Sequence, residues 1–192
     1  MKHSVITEDI LSSVTKEESS HSVTIGENSD SYTKGNNSHS VTMGEDAYSY
    51  TKGDNSHSVT MGRHACSFTI GENSHSVTIG ENSDSYTKGN NSHSVTMGRH
   101  ACSFTDGKNA HSVTMGEDAY SHTIGENSVS CALGYDSKVA TRKGFVVIAE
   151  YEEDKKTIKK IHAAKVGEEI LGVVIDADVL YGFDDDGIFT KF

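Results

Sequence analysis

From residue 26 to about residue 142, small and variable positions alternate with a period of two. After five or six residues the alternation gives way to a Gly-x-Asn triplet, and then it starts again. Aligned on its glycines (Gly26, Gly35, Gly44 and onward to Gly134) the unit is nine residues long and reads G-x-N-S-x-S-x-T-x. Period-two alternation predicts a strand, and Gly-x-Asn predicts a turn, because Gly and Asn both tolerate positive φ. The true period is two units: HSVT or a near copy begins at His3, His21, His39, His57, His75, His93 and His111, 18 residues apart, while the alternate unit reads DSYT, YSYT or CSFT. Residues 21–44 return letter for letter at 75–98. A fixed period of this size marks a solenoid. The prediction is an all-β fold, a two-sided parallel β-solenoid of 18 residues per coil and about eight coils, followed by a small C-terminal β domain. Stacked at about 4.8 Å, such coils give a rod on the order of 40 Å long.

Parity follows from the charges. Positions four, six and eight of the unit are Ser or Ala, Ser, and Thr, whereas positions five, seven and nine vary and include Asp30, Lys34, Lys52, Asp84, Lys88 and Asp106. A charge repeated down a column cannot line a thin interior without partners, so the small residues are expected inside, with their hydroxyls paired along the rod or with water. One outer face then carries His39, Val41, Met43, His57, Val59, Met61, His75, Val77, Ile79, His93, Val95 and Met97. The other carries Tyr32, Tyr50, Phe68, Tyr86 and Phe104. A Val/Met stripe several coils long exceeds the apolar patch that a soluble monomer usually exposes. It is expected to meet a protein surface, either a target or a second copy in a two-fold homodimer. Glu45, Glu81 and Glu117 share one turn column and are expected to present acidic charge to a basic site.

The regular body occupies residues 26–142. Before it, residues 1–25 hold worn repeats that keep HSVI and SSVT but place Glu8 and Glu17 where glycine is due and add Ile10 and Leu11, as expected of a terminal cap. After it, in residues 143–192, the period stops. FVVIAEY, EEDKK and TIKKIHA read as strand, charged turn and strand, and LGVVIDADVLYGF, DDDG and IFTKF as a further hairpin. This segment is expected to cap the last coil or to serve as a partner-binding or assembly module. DDDG lacks the following acidic ligand that an EF-hand loop needs, so it is read as a turn.

Composition narrows the function. Proline is absent, which suits a chain whose backbone N–H groups nearly all join a ladder, and the net charge is −11. The one basic cluster is Lys155, Lys156, Lys159 and Lys160, so direct nucleic-acid or membrane binding is not expected. No apolar run approaches membrane-spanning length, and MKHSVITEDILSS has no signal-peptide core. Cys66, Cys102 and Cys131, an odd number, are read as reduced thiols. The expected location is the cytoplasm of a host cell or a virion. Ser, His, Cys and Asp occur as copies in columns with none set apart, so no enzyme is expected. No cofactor or metal is expected either. The histidine column is read as stacked rim residues, and His64 with Cys66 and His100 with Cys102 lie too far apart to share one zinc.

The repeat resembles three known kinds of sequence. In length it resembles the nonapeptide of RTX toxins, and NSHSVTMG is similar to the head repeats of trimeric autotransporter adhesins. Most closely, the units followed by KGFVVIAEY, AAKVGEE and a closing hairpin resemble short repeat proteins of phage and prophage genomes. That resemblance implies a mobile-element origin and carries no chemistry of its own. The expected function is an interaction protein of phage type, an acidic rod that binds and blocks a host macromolecule, such as a defence nuclease whose nucleic-acid site it imitates. The alternative is a structural fibre or adhesin segment whose aromatic column stacks on sugars. A remote third, ice binding, requires threonine ladders on the outside.

Overall fold

The computed structural model describes residues 3–6 and 12–192; Glu8, Ile10 and Leu11, expected to help form a cap, lie outside the described residues. Strands His21–Ile25, Asp30–Lys34, His39–Met43, Tyr48–Lys52 and their successors to His111–Met115 alternate between two ladders. Every pairing within the body is parallel and in register at 18 residues, as in Val59↔Val77 and Tyr50↔Phe68. The result is a parallel β-solenoid of about eight turns with no helix among the described residues. The register already holds at the start, where His3–Ile6 pairs with residues 21–24 and Ser12–Thr15 with residues 30–33, so these worn repeats are ordinary rungs.

The turn explains its own sequence. Gly62 adopts φ 150°, and a Cβ there would lie 1.8 Å from the carbonyl oxygen of Gly44 in the coil beneath. Two residues on, His64 takes φ 56°, a left-handed conformation that Asn holds at most equivalent positions, such as Asn55 at 55°. Asn, Asp and His enter this region more readily than other non-glycine residues. Across the turn the Gly62 N–H donates to the Ile79 carbonyl at 2.9 Å, so the ladder continues around the corner.

Serine and threonine fill the interior, as the parity argument predicts: Ser58 is 1% exposed and Thr60 0%. The position-six serines of the two sheets form a zipper along the axis, in which hydroxyls bond to those nine residues earlier: Ser40 to Ser31 at 2.7 Å, Ser49 to Ser40 at 2.8 Å, Ser58 to Ser49 at 2.7 Å; at Ser112 the acceptor is instead the Ser103 carbonyl. Position-four serines tie coils together; the Ser56 hydroxyl accepts from the Ser38 N–H at 3.2 Å and donates to the Gly35 carbonyl at 3.0 Å. The threonines do less well. Thr78, Thr96 and Thr105 reach a carbonyl six residues on at 3.1–3.3 Å, but the hydroxyls of Thr42, Thr51, Thr60 and Thr69 find no partner. Their methyl groups pack the core while these hydroxyls remain a liability.

The solenoid does not stop at residue 142. Lys143 lies inside the strand Lys138–Tyr151, and Phe145–Ile148 adds one more rung to the histidine ladder by pairing with Val129–Ala132. That coil is shortened, with Val129↔Phe145 spaced 16 residues instead of 18, which erases the sequence period while keeping the ladder. Both ladder ends are then covered by antiparallel strands. Ile158–Lys165 pairs with residues 145–151, Tyr181–Phe183 pairs with Val139, and Phe189–Lys191 pairs with Tyr181–Phe183. The two expected hairpins are therefore present. The apolar core lies here, in Val139, Val146, Ile148, Ile170, Ile175, Tyr181 and Phe189. The covering strands are edges in turn, and Lys159, Lys160 and Lys165 along Ile158–Lys165 place charges that discourage a further strand from pairing there.

Candidate interaction surfaces

On the histidine face the imidazoles of His21, His39, His57, His75, His93 and His111 stack at centroid spacings of 4.9 Å. Beside them run Val41, Val59, Val77 and Val95, then Met43, Met61, Ile79 and Met97, all in register. Most of these side chains are half-buried by their neighbours in the column, and Ile79 is 38% exposed. From residue 21 to residue 115 the three columns contain no Asp, Glu, Lys or Arg. Burial, reinforced by neighbouring imidazoles, holds His39, His57 and His93 below the usual histidine pKa, and burial alone does the same for His75 and His111. These five imidazoles therefore favour their neutral form at neutral pH. Near-parallel rings, 3° apart for His39 and His57, send their nitrogen lone pairs along parallel planes instead of to a common point, which is a poor arrangement for a metal.

The aromatic face is also a stack. Tyr32, Tyr50, Phe68, Tyr86 and Phe104 follow one another at 4.6–5.5 Å with interplanar angles of 2–25°. Because the rings cover each other's faces, the column offers edges and hydroxyls outward. Charges flank it, including Lys88 with Asp106 at 3.8 Å. Cys66 and Cys102 lie on either side of Asp84 in the adjoining column, and both thiols are pushed up to about 11, first by burial and then by Asp84. Such thiols remain protonated at neutral pH and are weak nucleophiles. Above Phe104, His122 lies 3.4 Å from Asp178, which bonds Arg142 at 2.8 Å and ties the cap to this face.

The expected acidic turn column needs correction. Glu45, Glu81 and Glu117 do occupy one column, but Arg63 and Arg99 stand between them. Turn hydrogen bonds link the successive levels, from Asp46 to Arg63, His64 to Glu81, Asn82 to Arg99 and His100 to Glu117. Arg63 ion-pairs with Glu45. The column thus alternates in sign, a pattern visible in the sequence only when all of its positions are read.

The threonine ladders are inside, so the condition attached to ice binding is not met. Among the described residues no group of three or more His, Cys, Asp or Glu side chains is placed to hold a metal ion, and no helix is long and apolar enough to cross a membrane. A concave site was not foreseen: a cleft between the last coil and the cap, assembled from Tyr135, Asp136 and Ser137 with residues 149–153, Lys155 and residues 183–187. No protein-family model matches the chain, and no curated protein or solved structure matches it either.

Proposed function

We propose that this chain is a non-enzymatic interaction protein, a rigid rod that captures a protein on its histidine face and blocks it sterically. The observation that carries the reading is the charge-free strip itself: three adjacent columns spanning six rungs, on a chain of net charge −11. Docking there strips water from imidazole, isopropyl and thioether groups and leaves the carboxylates solvated, which keeps desolvation cheap. The phage and prophage resemblance supports a host macromolecule as the target. Imitation of nucleic acid is less well supported, because Arg63 and Arg99 interrupt the glutamate column and offset part of its charge. The fibre or adhesin alternative needs open ring faces for sugars, and the stacked aromatic column offers edges.

The test is capture from a bacterial lysate with immobilised protein. Val59→Glu with Val77→Glu should abolish retention of the partner, whereas Tyr50→Ser with Tyr86→Ser should leave it unchanged; the opposite pattern refutes the assignment. Self-association through the same strip is a second reading, favoured because identical columns are self-complementary about a two-fold axis. With 4.9 Å rungs and strands of about 3.3 Å per residue, the strip offers about 500 Å² per copy, about 1,000 Å² in a dimer, at the low end for a specific interface. Sedimentation at pH 8 should therefore show at most a weak, concentration-dependent dimer that Val59→Glu with Val77→Glu dissociates.

A further inference from the structure

The cleft beneath the closing hairpin has a different chemistry from either flat face. Its volume, about 410 Å³, lies within the range of small-molecule pockets, about 300–1,000 Å³. Tyr135 and Tyr151 meet edge to face there at 5.7 Å, and Phe183 also lines the cleft. Not all of its carboxylates are available. Glu150 is bonded to Lys159 at 2.6 Å and His162 at 2.7 Å, and Asp184 accepts from the N–H groups of Asp186 and Ile188 in its own turn. Glu152, Glu153, Asp185 and Asp186, by contrast, are exposed along the cleft.

What sets this cavity apart from other acidic stretches of the rod is that a cation already sits in it. The Lys155 ammonium lies 5.1 Å from the centroid of the Tyr135 ring. Its pKa is raised, first by the Tyr135 hydroxyl and further by Asp185 and Asp136. Lys155 is exposed on a tight turn at φ 58° and can swing into solvent without disturbing the core.

We propose that this cleft binds an alkylammonium group, the chemistry shared by free polyamines and peptide lysine side chains, with Tyr135 and Tyr151 as aromatic walls, Glu153, Asp185 and Asp186 as counter-charges, and Lys155 as the built-in occupant that the ligand displaces. An ammonium over an aromatic face gains from the ring quadrupole, and carboxylates around a concave mouth concentrate cations. The inference does not rest on the histidine face; either can fail alone.

Calorimetric titration of the full chain at low salt, with spermidine and separately with Nα-acetyl-lysine amide, tests it. Saturable one-to-one binding of at least one probe is expected; spermidine alone would identify a free polyamine as the source, and binding of both a lysine side chain. Lys155→Ala should tighten binding severalfold by removing the competitor. Asp185→Asn with Asp186→Asn should weaken it about tenfold, and Tyr135→Leu severalfold. Circular dichroism and the thermal midpoint check that each variant folds. No saturable binding to the wild type or to Lys155→Ala overturns the proposal. So does weaker binding by Lys155→Ala, or an equal loss in Glu45→Gln with Glu81→Gln, which would mark a diffuse ion atmosphere.

Discussion

Two neighbouring interior hydroxyls, at Ser58 and Thr60, should respond to removal with opposite signs. The Ser58 hydroxyl bonds Ser49 at 2.7 Å and Ser67 at 2.8 Å and is a link in a continuous chain. Ser58→Ala leaves the Ser67 hydroxyl without its acceptor and interrupts hydrogen bonds that polarise one another. Orphaning one buried hydroxyl costs about 1–3 kcal/mol. Thr60, 0% exposed, has a hydroxyl with no partner. Thr60→Val keeps the branched shape and removes the unsatisfied group, so it should be neutral or stabilise by up to about 1 kcal/mol. Guanidinium denaturation followed by far-UV circular dichroism measures both. Because solenoids lose two-state behaviour readily, the midpoint shift is read alongside a check that the slope is unchanged. A lower midpoint for Thr60→Val than for Ser58→Ala would refute the account of the interior.

Acidification should loosen the rod. His39, His57, His75, His93, His111 and His122 all have folded pKa values below 6.5, so the unfolded chain takes up protons first. Stability is therefore full above about pH 6.5 and is lost as pH falls below it. Two imidazolium charges 4.9 Å apart repel by about 0.8 kcal/mol at the dielectric of water and about 3.4 kcal/mol at an effective value of 20. A thermal midpoint that holds or rises between pH 7.5 and pH 5.5 would contradict this. Gly80→Ala should unfold several coils, because its Cβ would lie 1.8 Å from the Gly62 carbonyl oxygen, whereas the exposed neighbour change Glu81→Ala should shift the midpoint little. Equal, small shifts for the two would show that the coils are not stacked at this spacing.

Much of the architecture was legible because the chain repeats every rung. Columns such as Val41, Val59, Val77 and Val95 fix the register, and charges at Lys52 and Asp84 fix which positions face out. Where the repeat changes length, the reading failed. Phe145–Ile148 remains a rung of the histidine ladder, but the two-residue shortening before it removes the Gly-x-Asn signal, so the body reads as ending too early. The cleft was invisible for a different reason: Tyr135, Tyr151 and Phe183 come from three segments that only the packing of cap on coil brings together. The charge column was legible in principle; Arg63 and Arg99 fall at the same 18-residue spacing as the glutamates around them.

The central claim is that protein docks on the histidine face. Its most direct test is a photocrosslinker, benzoylphenylalanine, placed in turn at Val77 on that face and at Tyr86 on the aromatic face, with irradiation in bacterial lysate. A heavier covalent species is expected from position 77, containing either a captured protein or a second copy of the chain, and none from position 86. Crosslinks from position 86 alone, or from neither position, would contradict it.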